Sequence, residues 1–176
     1  AVESTSGMVL VYNGELITAA YHSTSGGQTA AAVEVWGGSV PYLKSVNSYC
    51  ETESPYYNQQ QFFSWQQLAE QLDTINYKQA QVIDLSASGR VLKIKINRRI
   101  FSGREIRQQL GLNSTKFKVI KNAQGLKFVV DGFGHGVGMS QYGAQGLAQQ
   151  GYNFIEILHH YYPQAKIVVG KNDFDA

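Results

Sequence analysis

The run Asp131-Gly132-Phe133-Gly134-His135-Gly136-Val137-Gly138-Met139-Ser140-Gln141-Tyr142-Gly143-Ala144 is the most unusual text in the chain. It follows Lys127 to Val130, which reads as a strand, and it places glycine at 132, 134, 136 and 138. Strand side chains alternate between faces, so glycine at every second position predicts an extended segment with one bare face. Phe133, His135, Val137 and Met139 are expected on the other face. A bare face lets another backbone, an aromatic ring or a ligand approach closely. Ser140 can then cap a helix of small residues that runs to Gln150 and closes at Gly151. Asn153 and Glu156 have capping-box spacing for a last helix, with Phe154, Ile157, Leu158 and Tyr161 as its buried stripe and Pro163 as its stop.

Working outward, Met8 to Tyr12 and Glu15 to Ala19 are β-prone runs separated by Asn13-Gly14. Both turn residues tolerate positive φ, so a type I′ hairpin is predicted. The second strand heads toward Tyr21-His22 and breaks in Ser23-Thr24-Ser25-Gly26-Gly27. Val33 to Trp36 reads as a short extended piece, in which Glu34 is a solvated strand-end residue. Glu51-Thr52-Glu53-Ser54-Pro55 reads as a polar loop. Phe62, Phe63, Trp65, Leu68 and Leu72 recur at near-helical spacing, with Ser64 placed to cap. Val82 to Leu85 and Val91 to Ile96 flank a second turn, and Ser102 with Glu105 opens a helix that Gly111 ends. The expected fold is α+β, mainly antiparallel hairpins with a few helices. Residues 1–53 and 119–170 are expected to form a discontinuous core, 54–118 an inserted helix–hairpin–helix subdomain, and 171–176 a tail.

The chain has 176 residues, enough for one domain with a buried core or a core with one modest insertion. Hydrophobic residues make up 43% and charged residues only 16%, so uncharged polar groups must cover the surface. Eleven Tyr and abundant Gln, Ser and Asn supply them, which suits a neutral hydroxylated ligand such as a sugar. A net charge of +2 is too small for binding driven by phosphate contacts, so nucleic acid is not an expected partner. The single cysteine, Cys50, rules out an internal disulfide and a zinc ribbon. No stretch reaches the ~18 apolar residues of a membrane span, and no signal-peptide pattern opens the chain. The start, Ala1-Val2-Glu3-Ser4, enters a strand without an initiator Met and reads as a fragment or a mature form.

Four chemistries compete for these motifs. A phosphate cradle needs strand, GxGxxG and helix, whereas this glycine spacing is strictly two and no Walker lysine follows. A serine nucleophile is placed near glycine at Ser25 and Ser140, with His22 or His135 as base, but neither serine sits in G-x-S-x-G, and helix capping accounts for Ser140. A metal site from His22, Cys50, His135 and His159 or His160 fits no zinc spacing, so neither metal nor cofactor is expected. A glycan cleft needs hydroxyls and amides for sugar hydroxyls, aromatic faces for pyranose rings and small residues for close approach. The candidate walls combine these: His22, Ser23, Thr24, Ser25, Gly26, Gly27 and Thr29 from one segment, and Gly134, His135, Gly136, Ser140, Gln141 and Tyr142 from the other.

His22-Ser23-Thr24-Ser25-Gly26-Gly27-Gln28-Thr29, Val35-Trp36-Gly37 and Pro41-Tyr42-Leu43 resemble the SpoIID/LytB family. So do Ser88-Gly89-Arg90, Ser102-Gly103, Arg107, Leu110-Gly111-Leu112, Ser114-Thr115-Lys116-Phe117, the run from Gly134 to Ala144, Ile157-Leu158 and Tyr161-Tyr162-Pro163. The family holds sporulation stage II protein D and amidase-enhancer proteins, and the resemblance covers nearly the whole chain in order. It implies a role on peptidoglycan in the bacterial cell envelope, outside the cytoplasm. The better-understood members are lytic transglycosylases of glycan strands stripped of stem peptides. In them a glutamate protonates the glycosidic oxygen, and the muramyl primary hydroxyl attacks the anomeric carbon to leave an anhydromuramyl end. The nucleophile is intramolecular, so a second carboxylate is not needed. The acid must hold its proton near neutral pH, which calls for a raised pKa.

The sequence departs from the family in one respect. The family's glutamate lies in an upstream helical segment, and no matching run occurs in these 176 residues. The chain therefore reads as the C-terminal two-thirds of the domain, and no catalytic role falls on Glu3, Glu15 or Glu34. The implied partners are glycan strands, a cell-wall amidase and the chain's own N-terminal segment.

Overall fold

Asn13 and Gly14 both take positive φ, 51° and 85°, and turn the first hairpin as their sequence requires. The structure is a computed structural model and describes residues 5–169, so Glu3 and the tail at 171–176 lie outside the described residues. In chain order the elements are β1 (Met8–Tyr12), β2 (Glu15–Leu16), β3 (Tyr21–His22), β4 (Gly27–Gln28), α1 (Ala32–Trp36), β5 (Asn47–Ser48), β6 (Gln59–Ser64) and α2 (Trp65–Gln71). There follow β7 (Ala80–Leu85), β8 (Val91–Ile96), β9 (Arg99–Ser102), α3 (Gly103–Gln109), β10 (Phe117–Lys121) and β11 (Gly125–Val130). The chain then forms β12 (Met139–Ser140), α4 (Gln141–Gln149), α5 (Phe154–Tyr161) and β13 (Lys166–Val169).

These elements give an α+β fold of small sheets. Three sheets have three strands, in the orders β13-β1-β2, β10-β11-β6 and β7-β8-β9, and all their pairs are antiparallel. The short pair β3 with β12 is parallel, and it sets His22 beside Ser140. Two hydrophobic cores form among the described residues. One is drawn from residues between Trp65 and Val130, with Leu68, Ile94, Ile96, Ile106, Leu126 and Phe128 fully buried. The other joins Ala30 and Leu43 to Val137, Leu147, Tyr161 and Tyr162.

Local signals place the helix starts. Ser64, Ser102 and Asn153 each cap a helix with a reciprocal Gln or Glu three residues on, and Ser140 accepts the Gly143 N–H. Four local expectations change. Val33 to Trp36 is helical, because the Glu34 carboxylate returns to the Ala31 N–H and Gly37 ends the turn in the left-handed region. Phe62 and Phe63 lie on β6 and the helix begins at Trp65, because β6 pairs along its whole length with β11. The second strand of the first hairpin stops at Leu16, and Tyr21-His22 pairs with β12 instead. On α5, Ile157 and Tyr161 are buried while Phe154 stays exposed.

The glycine run is the largest correction. It is not a continuous strand: Gly132, Gly134, Gly136 and Gly138 take φ of 89°, 114°, 82° and 73°. A left-handed glycine at every second position makes a kinked ribbon, held by single bridges from Phe133 to Thr24 and from Val137 to Ala30. The close approach inferred from the missing side chains does occur. A Cβ at Gly136 would overlap the Arg90 guanidinium, and one at Gly134 would come within 2.9 Å of the His22 Cβ.

Candidate functional site: a carboxylate-centred frame beside a cleft

The Ser23–Gly27 loop closes around one side chain, Glu51. Its carboxylate accepts the backbone N–H groups of Ser25 at 2.7 Å and of Gly26 and Gly27 at 3.0 Å each. Hydroxyls of Ser48 at 3.0 Å and Tyr57 at 2.6 Å donate to it, as does that of Ser140. Burial pushes the Glu51 pKa up, but the bonds from Ser140, Tyr57 and the Ser25 backbone outweigh it, so the carboxyl sits below its ordinary range and is ionised. Tyr161 donates in turn to Ser48 at 2.7 Å, which ties α5 into the same network.

A second clamp holds the other side of this loop. The buried Arg90 guanidinium donates to the carbonyls of Ser25 at 3.0 Å and Gln28 at 3.1 Å and to the Ser88 hydroxyl at 3.1 Å. Burial lowers its pKa to about 10, against the raising effect of Glu34 and Glu51, so it stays charged at neutral pH. Glu34 in turn accepts the Ser88 hydroxyl and N–H. Burial raises the Glu34 pKa, but the Ser86 and Ser88 hydroxyls and the Ala31 and Ser88 N–H groups bring it below the ordinary value. Lys116 reaches across to the Gly26 carbonyl at 2.7 Å.

Beside this frame lies a cleft of about 500 Å³ between α1 and α3, lined by Glu34, Trp36, Arg104, Arg107, Gln108 and His135 among others. Two of its lining side chains, Trp36 and His135, are aromatic, and His22 lies behind His135 outside the lining. Trp36 lies 5.4 Å from His135 and His135 lies 5.7 Å from His22, ring centre to ring centre. The Val137 N–H donates to His135 Nδ1, and His22 Nδ1 lies 3.1 Å from the Val137 carbonyl, which can only accept. The neutral His22 ring therefore carries its proton on Nδ1, and its buried Nε2 is an acceptor with no partner. Burial holds the His22 pKa down at about 4 and also lowers that of His135, so both rings are neutral at pH 7.

The expected wall residues fall into distinct places. Ser25, Gly26, Gly27 and Ser140 come together around Glu51, and Gly136 lies against Arg90. Thr24 is buried and bonds Ser54 at 2.6 Å, near Ser23, whose carbonyl accepts the Tyr142 N–H. Thr29 is buried and accepts the Val46 N–H at 2.8 Å, and Gly134 backs His22. Among these residues only His135 is a lining residue of the α1–α3 cleft. Gln141 is exposed, and Tyr142 flanks the stacked pair Tyr56–Phe133 on a separate aromatic surface.

Sequence reasoning missed Glu51, Arg90 and the cleft residues Trp36, Arg104 and Arg107 as functional groups. Glu51 carries no local signal, because its partners lie up to 89 residues away. Glu34, expected at a solvated strand end, is a half-enclosed helical residue with both oxygens engaged. Its position three residues after Ala31 was the only available hint. Among the described residues no cluster of His, Cys, Asp and Glu suits a metal ion.

No family model matches the chain. Curated relatives do. It is 38% identical over 171 residues to stage II sporulation protein D of Bacillus subtilis, covering 95% of this chain and 50% of that protein. It is 40% identical over 169 residues to stage II sporulation protein D of Bacillus amyloliquefaciens, covering 92% and 48%. The chain belongs to the SpoIID/LytB family. The amidase enhancer of Bacillus subtilis is a further relative, 32% identical over 223 residues, with 93% of this chain and 31% of that protein covered. The chain thus spans about half the length of the sporulation proteins it matches. Within this SpoIID/LytB chain the motif residues build the Glu51 and Arg90 clamps, and no described helix is long and apolar enough to cross a membrane.

Proposed function

We propose that this chain is a peptidoglycan-binding part of a SpoIID-like lytic transglycosylase that works outside the cytoplasm in the bacterial cell envelope. The observation that carries the reading is the α1–α3 cleft, where an exposed indole and a neutral imidazole stand beside a rigid hydrogen-bonded frame. An indole face suits the C–H surface of a pyranose, and neutral polar groups suit its hydroxyls. The frame matters because a sugar polymer is positioned best by groups that do not move on binding.

The general acid of the reaction is assigned outside these residues. Glu34 and Glu51 are both held ionised by their donors, the opposite of what protonating a glycosidic oxygen at neutral pH requires. A longer polypeptide that includes the family's upstream glutamate is expected to release anhydromuramyl products from glycan strands stripped of stem peptides, and residues 1–176 alone are expected to release none. Products from residues 1–176 alone would overturn the assignment of the acid. Their absence with the longer polypeptide would overturn the enzyme reading.

The relation to the amidase enhancer supports a second reading, a non-catalytic glycan-binding module that recruits a cell-wall amidase. Stimulation of an amidase by the longer polypeptide, without any turnover of its own, would favour it.

A further inference from the structure

We propose that the outer face of the β10-β11-β6 sheet docks on a lipid bilayer with anionic phosphate headgroups. The observation behind it is a division of charge that the small total conceals. Residues 54–130 hold twelve of the fifteen Lys and Arg but only four of the thirteen Asp and Glu, a net charge of +8, while the rest of the chain carries −6. The core between Trp65 and Val130 is drawn from the same stretch, so the positive charge belongs to the elements packed around it. An anionic surface attracts that part of the molecule and repels the other, which orients the whole.

Strand register assigns the face. Phe117, Phe128 and Val130 are buried, so their cross-strand rows look toward the core. The rows Lys118–Val129–Gln60 and Ile120–Lys127–Phe62 are left on the outside. No acidic side chain stands in either outer row, and among the described residues Lys118 and Lys127 make no ion pair or hydrogen bond. Asp131, just beyond β11, accepts the Asn58 N–H at 2.9 Å. On β8, by contrast, Lys93 has Asp84 as its cross-strand partner. What selects a bilayer over a hydrated polyanion is the pair Phe62 and Ile120, 48% and 50% exposed on either side of Lys127. At a lipid interface ammonium groups meet phosphates while flanking aromatic and aliphatic side chains enter the acyl boundary. A hydrated polymer would leave both side chains in water. None of these residues lines the α1–α3 cleft, so the inference stands apart from the glycan reading.

The test is cosedimentation of residues 1–176 with vesicles of phosphatidylglycerol mixed into phosphatidylcholine and with vesicles of phosphatidylcholine alone. Binding is expected to the mixed vesicles only, and to weaken strongly at about 1 M salt, where screening acts within ~3 Å. Lys118→Glu together with Lys127→Glu is expected to weaken it about tenfold or more. Lys44→Glu together with Lys166→Glu changes the net charge equally outside residues 54–130 and is expected to leave binding nearly unchanged. Phe62→Ser is expected to weaken it several-fold at constant charge, with urea midpoints showing that every variant is folded. Equal loss in the two lysine pairs overturns the assignment of this face. Equal binding to neutral vesicles, or none to either kind, overturns the docking itself. A soluble glycerol-phosphate polymer bound as tightly as the mixed vesicles, with Phe62→Ser without effect, overturns the bilayer as partner in favour of a polymer.

Discussion

The carboxylate of Glu51 accepts the backbone N–H of Ser25 at 2.7 Å across 26 residues of sequence, and this contact organises the motif loop. Three successive backbone N–H groups, from Ser25, Gly26 and Gly27, point at one buried anion. Glu51→Gln keeps the shape but turns an amide donor toward groups that are themselves donors. The expected cost is about 3 kcal/mol of unfolding free energy, read as a lower urea midpoint with an unchanged slope. A variant as stable as the natural protein would show that the charge is not what holds the loop.

Acid should loosen the same region in two steps. His22 has its folded pKa lowered to about 4 from 6.5, so the unfolded chain takes up a proton first as pH falls. Its contribution is complete above about pH 6.5 and declines as pH falls toward 4, to a limit on the order of 3 kcal/mol. Glu51 has its folded pKa lowered as well, and its contribution is lost below the ordinary carboxylate range. Both act in one direction, toward instability in acid. Denaturant midpoints measured between pH 7.5 and 4 should fall, and His22→Gln should flatten the part above pH 5.

Two glycines of similar φ should respond very differently to alanine. Gly14 and Gly136 have φ of 85° and 82°, but a Cβ at Gly14 meets open space whereas one at Gly136 overlaps the Arg90 guanidinium. Gly14→Ala is expected to cost about 1 kcal/mol from the turn alone. Gly136→Ala is expected to cost at least twice that, because Arg90 must leave the carbonyls of Ser25 and Gln28. Thermal unfolding of the two variants side by side decides it, and equal shifts would argue against the clamp.

Replacing Arg90 by Lys should preserve the charge and still weaken the frame. The guanidinium reaches Ser25, Gln28 and Ser88 at once with two nitrogens, a fork that a single ammonium cannot reproduce. Faster amide hydrogen exchange confined to residues 23–29 is the expected sign, and exchange spread evenly over the chain would contradict it.

The contrast between what was legible in the sequence and what was not follows the range of the interactions. The Asn13-Gly14 turn and the caps at Ser64, Ser102, Ser140 and Asn153 are set within four residues, and all were readable. The alternating glycines were visible as a demand for close approach, but not as a left-handed kink at every second residue. That demand comes from His22 and Arg90, more than 40 residues upstream. Glu51 looked like loop solvent because a lone carboxylate among Thr, Glu and Ser gives no periodic signal. The pairing of α1 with α3 into a cleft is likewise a tertiary fact, to which Trp36 and Arg107 contribute from 71 residues apart.

The most direct test of the central claim uses the indole in the cleft. Of the two tryptophans, Trp36 is exposed at 47% and Trp65 is buried at 3%, so a ligand in the α1–α3 cleft should perturb the fluorescence of the first alone. Titration with glycan strands stripped of stem peptides is expected to quench or shift the Trp36 emission saturably. Trp36→Phe should abolish that signal and weaken binding several-fold in cosedimentation, with the fold unchanged. Saturable binding that leaves Trp36 emission untouched, or that Trp36→Phe does not weaken, would contradict the assignment of the cleft.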